Sequence, residues 1–104
     1  MYFPIQVWKT PEQNGMQTNF LLGALAISPE AQIVLKRIPL DLIARHAIND
    51  HGLITRRERA TNVLSMQTVG PIVSRYRIDP TNPKAGFVVI KTDEHWTSTL
   101  VEIE

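Results

Sequence analysis

Cysteine is absent from the 104 residues. That excludes at once a disulfide scaffold, thiolate zinc sites and a cysteine nucleophile, and it favours a reducing compartment. Net charge is nearly absent too: 11 Lys plus Arg stand against 10 Asp plus Glu, leaving +1. A balance so close to zero lacks the basic footprint of a general nucleic-acid binder. No long apolar run occurs. The longest, Phe20 to Ile27, falls far short of the about 20 residues that a membrane-spanning helix needs. It has neither a basic region directly before it nor a small-residue cleavage site after it, so no signal peptide is expected. The glycines, at 15, 23, 52, 70 and 86, form no phosphate loop, and no serine sits in a nucleophile elbow. The aromatic residues are few and dispersed, a poor platform for stacked bases. These exclusions leave one domain spanning 1–104, with a modest core, no membrane segment and no implied cofactor.

The charge that is present is unevenly placed. From Lys36 to Arg77, eight bases meet three acids; from Asp79 onward, five acids meet two bases. Such asymmetry makes either a basic face opposed to an acidic edge or two ordinary solvated faces.

The local pattern predicts a first strand over Tyr2 to Lys9, a polar loop over Thr10 to Thr18, and a buried strand over Phe20 to Ile27. Ser28-Pro29 is a helix start, with Ile33, Val34 and Ile38 expected inward. Pro39 interrupts that helix, and a second one runs through Leu40, Ile43 and Ala47. Asp41 and Arg45 are spaced to pair within it, and Gly52 is placed to end it. Thr55-Arg56-Arg57-Glu58 is a capping box opening a third helix, expected to bury Ala60, Val63 and Leu64 and to end near Gln67. Three arginines in its first turn oppose the helix dipole unless an acid offsets them. Gly70-Pro71 stops the helix, and alternation in Ile72 to Ile78 predicts a strand. Two further strands follow, Phe87 to Thr92 and Trp96 to Ile103, joined tightly by Asp93-Glu94-His95. Together these give an α+β domain: an antiparallel sheet, made of a C-terminal three-stranded meander plus one or two N-terminal strands, with about three helices packed on one face.

Three constellations could carry chemistry. A helix-turn-helix would need its recognition helix to run from Gln67 through Arg75, with Pro71 inside it at a cost of about 3 kcal/mol or more. His46, Asp50, His51 and His95 could offer ligands to a metal, but their spacing matches no standard motif and no metal is assigned. His46 with Asp50 or His95 could also serve acid–base hydrolysis, although a histidine satisfied inside a core is the commoner case.

A resemblance covers about four-fifths of the chain. The residues that carry it are Leu22-Gly23, Ile27-Ser28-Pro29, Leu42-Ile43-Ala44-Arg45-His46, Asp50-His51-Gly52, Arg59 with Asn62, Gly70 with Ile72-Val73-Ser74-Arg75-Tyr76-Arg77, Val89-Ile90 with Thr92-Asp93, and Thr97, Thr99 and Val101. The pattern resembles a family of small uncharacterised proteins carried on bacterial plasmids and other mobile elements. The resemblance implies a bacterial cytoplasmic protein and supplies no activity. His51 stands where the family has Trp, Leu53 where it has an acid, and Trp96 where it has Arg. Those departures favour a fold-maintaining or binding role, rather than catalysis, for Arg45, His46, Asp50, Asn62, Tyr76 and Thr92, which with His51 and Arg59 make up the candidate polar cluster.

The leading expectation is a non-enzymatic module of a mobile element that binds a protein partner through a helical face or a sheet edge, with an edge strand that would permit a homodimer. The alternative is a DNA- or RNA-binding regulator using Arg56, Arg57, Arg59, Arg75 and Arg77. The second alternative is a small hydrolase or nuclease built on His46 and Asp50.

Overall fold

The computed structural model describes residues 3–5 and 19–104. Its elements are β1 (Phe3–Ile5), β2 (Ala24–Ile27), α1 (Pro29–Leu35), α2 (Leu40–Ala47), α3 (Arg56–Thr68), β3 (Ile72–Arg77), β4 (Phe87–Thr92) and β5 (Ser98–Ile103), with one 3-10 turn at Pro83–Ala85. The expected strand at the start of the chain is present as β1; its remainder and the polar loop over 10–18 lie outside the described residues. The strand expected over Phe20 to Ile27 starts only at Ala24.

The chain is α+β, with a five-stranded sheet in the order β1-β2-β5-β4-β3. The sheet is mixed, which corrects the antiparallel expectation: β2 runs parallel to β5, while the other neighbouring pairs are antiparallel. The reason lies in the connection. Three helices and two strands separate β2 from β5, a span long enough to bring the chain back in the same direction. Gly23 makes the join. Its φ is +68°, and a Cβ there would lie 2.1 Å from the Thr97 carbonyl carbon. Only glycine allows that approach.

Period-two burial puts one set of residues on the inner face. The register aligns them in rows: Ile72, Thr92, Thr99 and Leu25; then Ser74, Ile90, Val101 and Ile27; then Tyr76, Val88 and Ile103. From α2, Leu42, Ile43, His46 and Ala47 are buried. Their spacing of one and four is a single helical stripe. α1 contacts β5, and α2 and α3 contact β3.

The helix starts follow local chemistry. Ser28 Oγ accepts from the Ala31 amide at 3.1 Å, with Pro29 where no donor is missed. Thr55 and Glu58 form the reciprocal capping box at 3.0 and 2.8 Å. The buried faces differ from expectation. In α1 only Ala31 is buried, and Ile33 is 73% exposed. In α3 the inward residues are Asn62 and Ser65, whereas Leu64 is 59% exposed and Val63 and Ala60 also face out. The helical period is right but the buried face is a different one, because α3 meets the sheet with polar groups. Arg45 pairs with Asp50, and Asp41 with Arg37, in place of the expected Asp41–Arg45 pair.

α3 also covers a strand edge. The Asn62 amide donates to the Val73 carbonyl at 2.8 Å and accepts from the Val73 amide at 3.0 Å. It thereby supplies both bonds that a neighbouring strand would have made. Two residues on, the Arg75 amide donates to the His51 carbonyl (3.0 Å), and the Leu53 amide donates to the Arg75 carbonyl (2.7 Å). No helix crosses 67–76, so the recognition helix of a helix-turn-helix is absent.

Replacing Asn62 by Leu leaves the paired groups of Val73 unsatisfied. The expected loss is about 1–3 kcal/mol of stability, with a tendency to self-associate through the bared edge. Urea unfolding and light scattering check both; a wild-type midpoint would show that the edge needs no cover.

Candidate functional site

The candidate cluster divides into a core, a groove and an edge. The core centres on His46, 0% exposed. Its Nδ1 lies 2.6 Å from Ser74 Oγ and its Nε2 2.9 Å from Thr92 Oγ1. His51 Nδ1 reaches the same Ser74 hydroxyl at 2.7 Å. On the other side Thr92 meets Thr99 at 2.7 Å, and Thr99 donates to the Leu22 carbonyl at 2.6 Å. Phe20 closes the core edge-on against the His46 ring, with centroids 5.2 Å apart. Five polar side chains from α2, the 50–53 segment and three strands thus form one continuous array.

Burial, and after it the charge His51 would carry, hold His46 down to about 3. Burial also lowers His51; the nearby Arg59 charge adds to that and Asp50 opposes it. Both rings are neutral near pH 7, and each neutral imidazole has one donor and one acceptor nitrogen.

The groove lies between α1, α2 and β3, with a volume of about 650 Å³. That is within the range of small-ligand and side-chain pockets. Val34, Leu35, Leu42, Leu53 and Ile78 supply apolar lining. On one wall the Arg45 guanidinium stacks 4.6 Å above the Tyr76 ring centroid and donates to Asp50 at 2.8 and 3.3 Å. The Tyr76 hydroxyl donates to the Asp50 carbonyl at 2.7 Å, and burial pushes its ionisation up to about 12. Gly52 is required in this wall: its φ is +69°, and a Cβ would sit 2.2 Å from the Arg75 carbonyl oxygen.

The residues predicted from sequence therefore fall as follows. His46, His51 and Thr92 join the core array. Arg45, Asp50 and Tyr76 line the groove, Asn62 covers the edge, and exposed Arg59 stands close enough to His51 to act on its charge. Among the basic residues, Arg56 and Arg57 are exposed in the first turn of α3. Arg75 is 15% exposed and held by Glu58 (2.7 and 3.0 Å) and Glu104 (2.8 and 3.0 Å). Arg77 is exposed at the groove and has no ion-pair partner among the described residues. The weighed metal set is not gathered: Asp50 binds Arg45 and His95 is exposed beside Glu94. Among the described residues no group of three His, Asp or Glu is placed to hold a metal ion.

Ser74 and Thr99 are the members that entered the sequence analysis only through the resemblance and not as candidate site residues. Their signal is parity. Each stands at an inward position, between Ile72 and Tyr76 or two before Val101, where an apolar side chain is the rule. No family model, no curated protein and no solved structure matches the chain.

Because folding depresses both histidines, the unfolded chain binds more protons in mild acid. Stability is therefore full above pH 6.5 and falls as the pH drops from there toward 3, by up to about 1.4 kcal/mol per pH unit for each histidine still neutral in the fold. Urea titrations at pH 8, 7, 6 and 5 measure this; equal stability at pH 7 and 5 would contradict it. Thr99→Val, which removes the link to Leu22 and leaves a buried carbonyl unpaired, is expected to cost about 1–3 kcal/mol at pH 7.

Proposed function

We propose that this chain is a non-enzymatic protein-interaction module of a mobile element, and that its docking site is the groove between α1, α2 and β3. One observation carries the reading: the groove sets an apolar lining beside one unpaired cation, Arg77, since its other arginines, Arg37, Arg45 and Arg75, are all held by carboxylates. Asp50 and Asp41 each already hold an arginine. Arg77 is free of such a pair among the described residues, and Leu53, whose amide bonds to β3 at Arg75, is 50% exposed in the same lining. Charge complementarity selects a peptide segment with an aliphatic or aromatic side chain beside a carboxylate.

The other readings draw on the same residues less well. A hydrolase would need His46 to reach a substrate, yet both its ring nitrogens are occupied inside the core. A nucleic-acid regulator keeps exposed Arg56, Arg57, Arg59 and Arg77, but Arg75 is committed to two carboxylates.

Peptide display against the purified chain tests the proposal. Sequences pairing an apolar residue with an acid are expected to be enriched. Leu53→Asp and Arg77→Glu should each weaken their binding by about tenfold or more, while stability shifts by no more than about 0.5 kcal/mol, as for exposed positions generally. Enrichment that ignores both substitutions removes the groove as the site. Duplex or RNA binding that weakens steeply with salt would transfer the function to the arginines.

A further inference from the structure

The buried array has a direction, fixed at one end. A carbonyl only accepts, so Thr99 must give its proton to Leu22. Thr99 Oγ1 then accepts from Thr92, and Thr92 Oγ1 accepts from His46 Nε2–H. With its proton on Nε2, neutral His46 presents a lone pair at Nδ1 and takes the Ser74 proton. Ser74, having donated, accepts from His51 Nδ1–H. Each donor is used once, and His51 Nε2 is left as a lone pair with no hydrogen-bond partner among the described residues.

This order makes the links unequal. Removing His46, Thr92 or Thr99 from its place strands a buried donor or acceptor. Removing the His51 ring costs Ser74 only an accepted bond, and its donor stays on His46. His51 is thus the member of the array that can leave. It also belongs to the 50–53 segment, whose Asp50, Gly52 and Leu53 line the groove. Residues 50–53 are pinned to β3 by the Tyr76 hydroxyl on the Asp50 carbonyl, by the Arg75 amide on the His51 carbonyl, by the Leu53 amide on the Arg75 carbonyl, and by the His51 ring on Ser74.

We propose that His51 is a proton-operated latch on the groove, tightening the 50–53 wall against β3 while neutral and loosening it, with the other bonds to β3 still in place, when its ring takes a proton at Nε2 and turns out to water. The inference rests on the groove reading for its consequence, which is weaker capture of the acidic, apolar peptide in mild acid, but not for the motion itself. Burial of the charge, with the surrounding groups, drives the ring outward. Arg59 of α3 repels the imidazolium. Asp50 in the same segment attracts it, but its carboxylate is engaged by Arg45 of α2. His46 of α2 is neutral, and β3 and β4 present only the hydroxyls of Ser74, Tyr76 and Thr92. Burial of the charge is the larger effect, and the Arg59 repulsion adds to it.

The full chain, labelled with 15N, decides the matter. Long-range proton–nitrogen spectra at pH 8 are expected to show His46 protonated on Nε2 and His51 on Nδ1. On titration toward pH 4.5, His51 should charge first, with amide shifts at residues 50–53 and Arg75, while the Val88–Thr92 amides stay fixed. His46 protonated on Nδ1, His51 charging with a motionless 50–53 segment, or unfolding before His51 charges would each overturn the latch. In a second arm, the displayed peptide should lose up to about tenfold in affinity per pH unit through this transition, the limit for one linked proton. His51→Asn, whose amide donates like Nδ1 but does not charge, should bind with flat pH dependence. A pH-independent wild type would break the coupling to the groove. Failure of every peptide at every pH would count against the groove alone, since the amide shifts report the latch without a ligand.

Discussion

An imidazole with no exposed surface, in the core between α2 and the sheet, constrains the whole structure. Hydrophobic contact is non-directional and lets a helix slide or turn on a sheet. Two short hydrogen bonds to one ring do not. His46 must meet Ser74 on β3 and Thr92 on β4 together, which sets the rotation of α2 and its height above the sheet. An unpaired ring nitrogen in that place would cost the full desolvation of a polar group, so neither bond is optional. The specificity of the packing resides in that pair of contacts more than in the apolar area around them.

The sheet's mixed topology supplies the anchor of this arrangement. The array ends on the Leu22 carbonyl, which meets Thr99 because β2 lies parallel to β5 with Leu25 opposite Thr99. Gly23 permits the close approach to Thr97 that starts the parallel pair. An antiparallel neighbour would place a different backbone group over Thr99. Topology and polar satisfaction therefore depend on each other: the strand order gives the array its terminus, and the array favours that register over a slip.

Much of the architecture was legible because it rests on local chemistry. The Ser28 and Thr55 caps, the break at Pro39 and the turn to strand at Gly70-Pro71 involve residues within a few positions of one another. The direction of β2 was not legible, since nothing in Ala24–Ile27 records which strand it will join. Nor was the inward face of α3, where pattern favoured Val63 and Leu64 while the sheet edge required Asn62. The cluster was legible as membership but not as grouping. Arg45 and Asp50 adjoin His46 and His51 in sequence, yet local geometry sends them, with Tyr76 of β3, to the groove wall. Ser74 and Thr99 were readable only as polar residues at inward parity, a signal that has meaning once the strand register is known.

The uneven charge of the sequence resolves in the same way. The basic middle and acidic end of the chain meet in space where Arg75 holds Glu104; Arg75 also holds Glu58 within the middle, and Lys91 holds Glu102 within the end. Glu58 also closes the capping box, and the Arg75 hydrogen bonds hold its carboxyl down to about 2 against the opposing effect of burial. It therefore stays charged near neutral pH and offsets the arginines beside it at the positive end of α3. The first turn that broke a local rule is thus compensated by a carboxylate placed within it and by a strand that fixes that carboxylate in position. What remains uncompensated on the groove side is Arg77, and a single unpaired cation beside apolar lining discriminates among partners more sharply than a broad basic face would, because a partner must satisfy both at once.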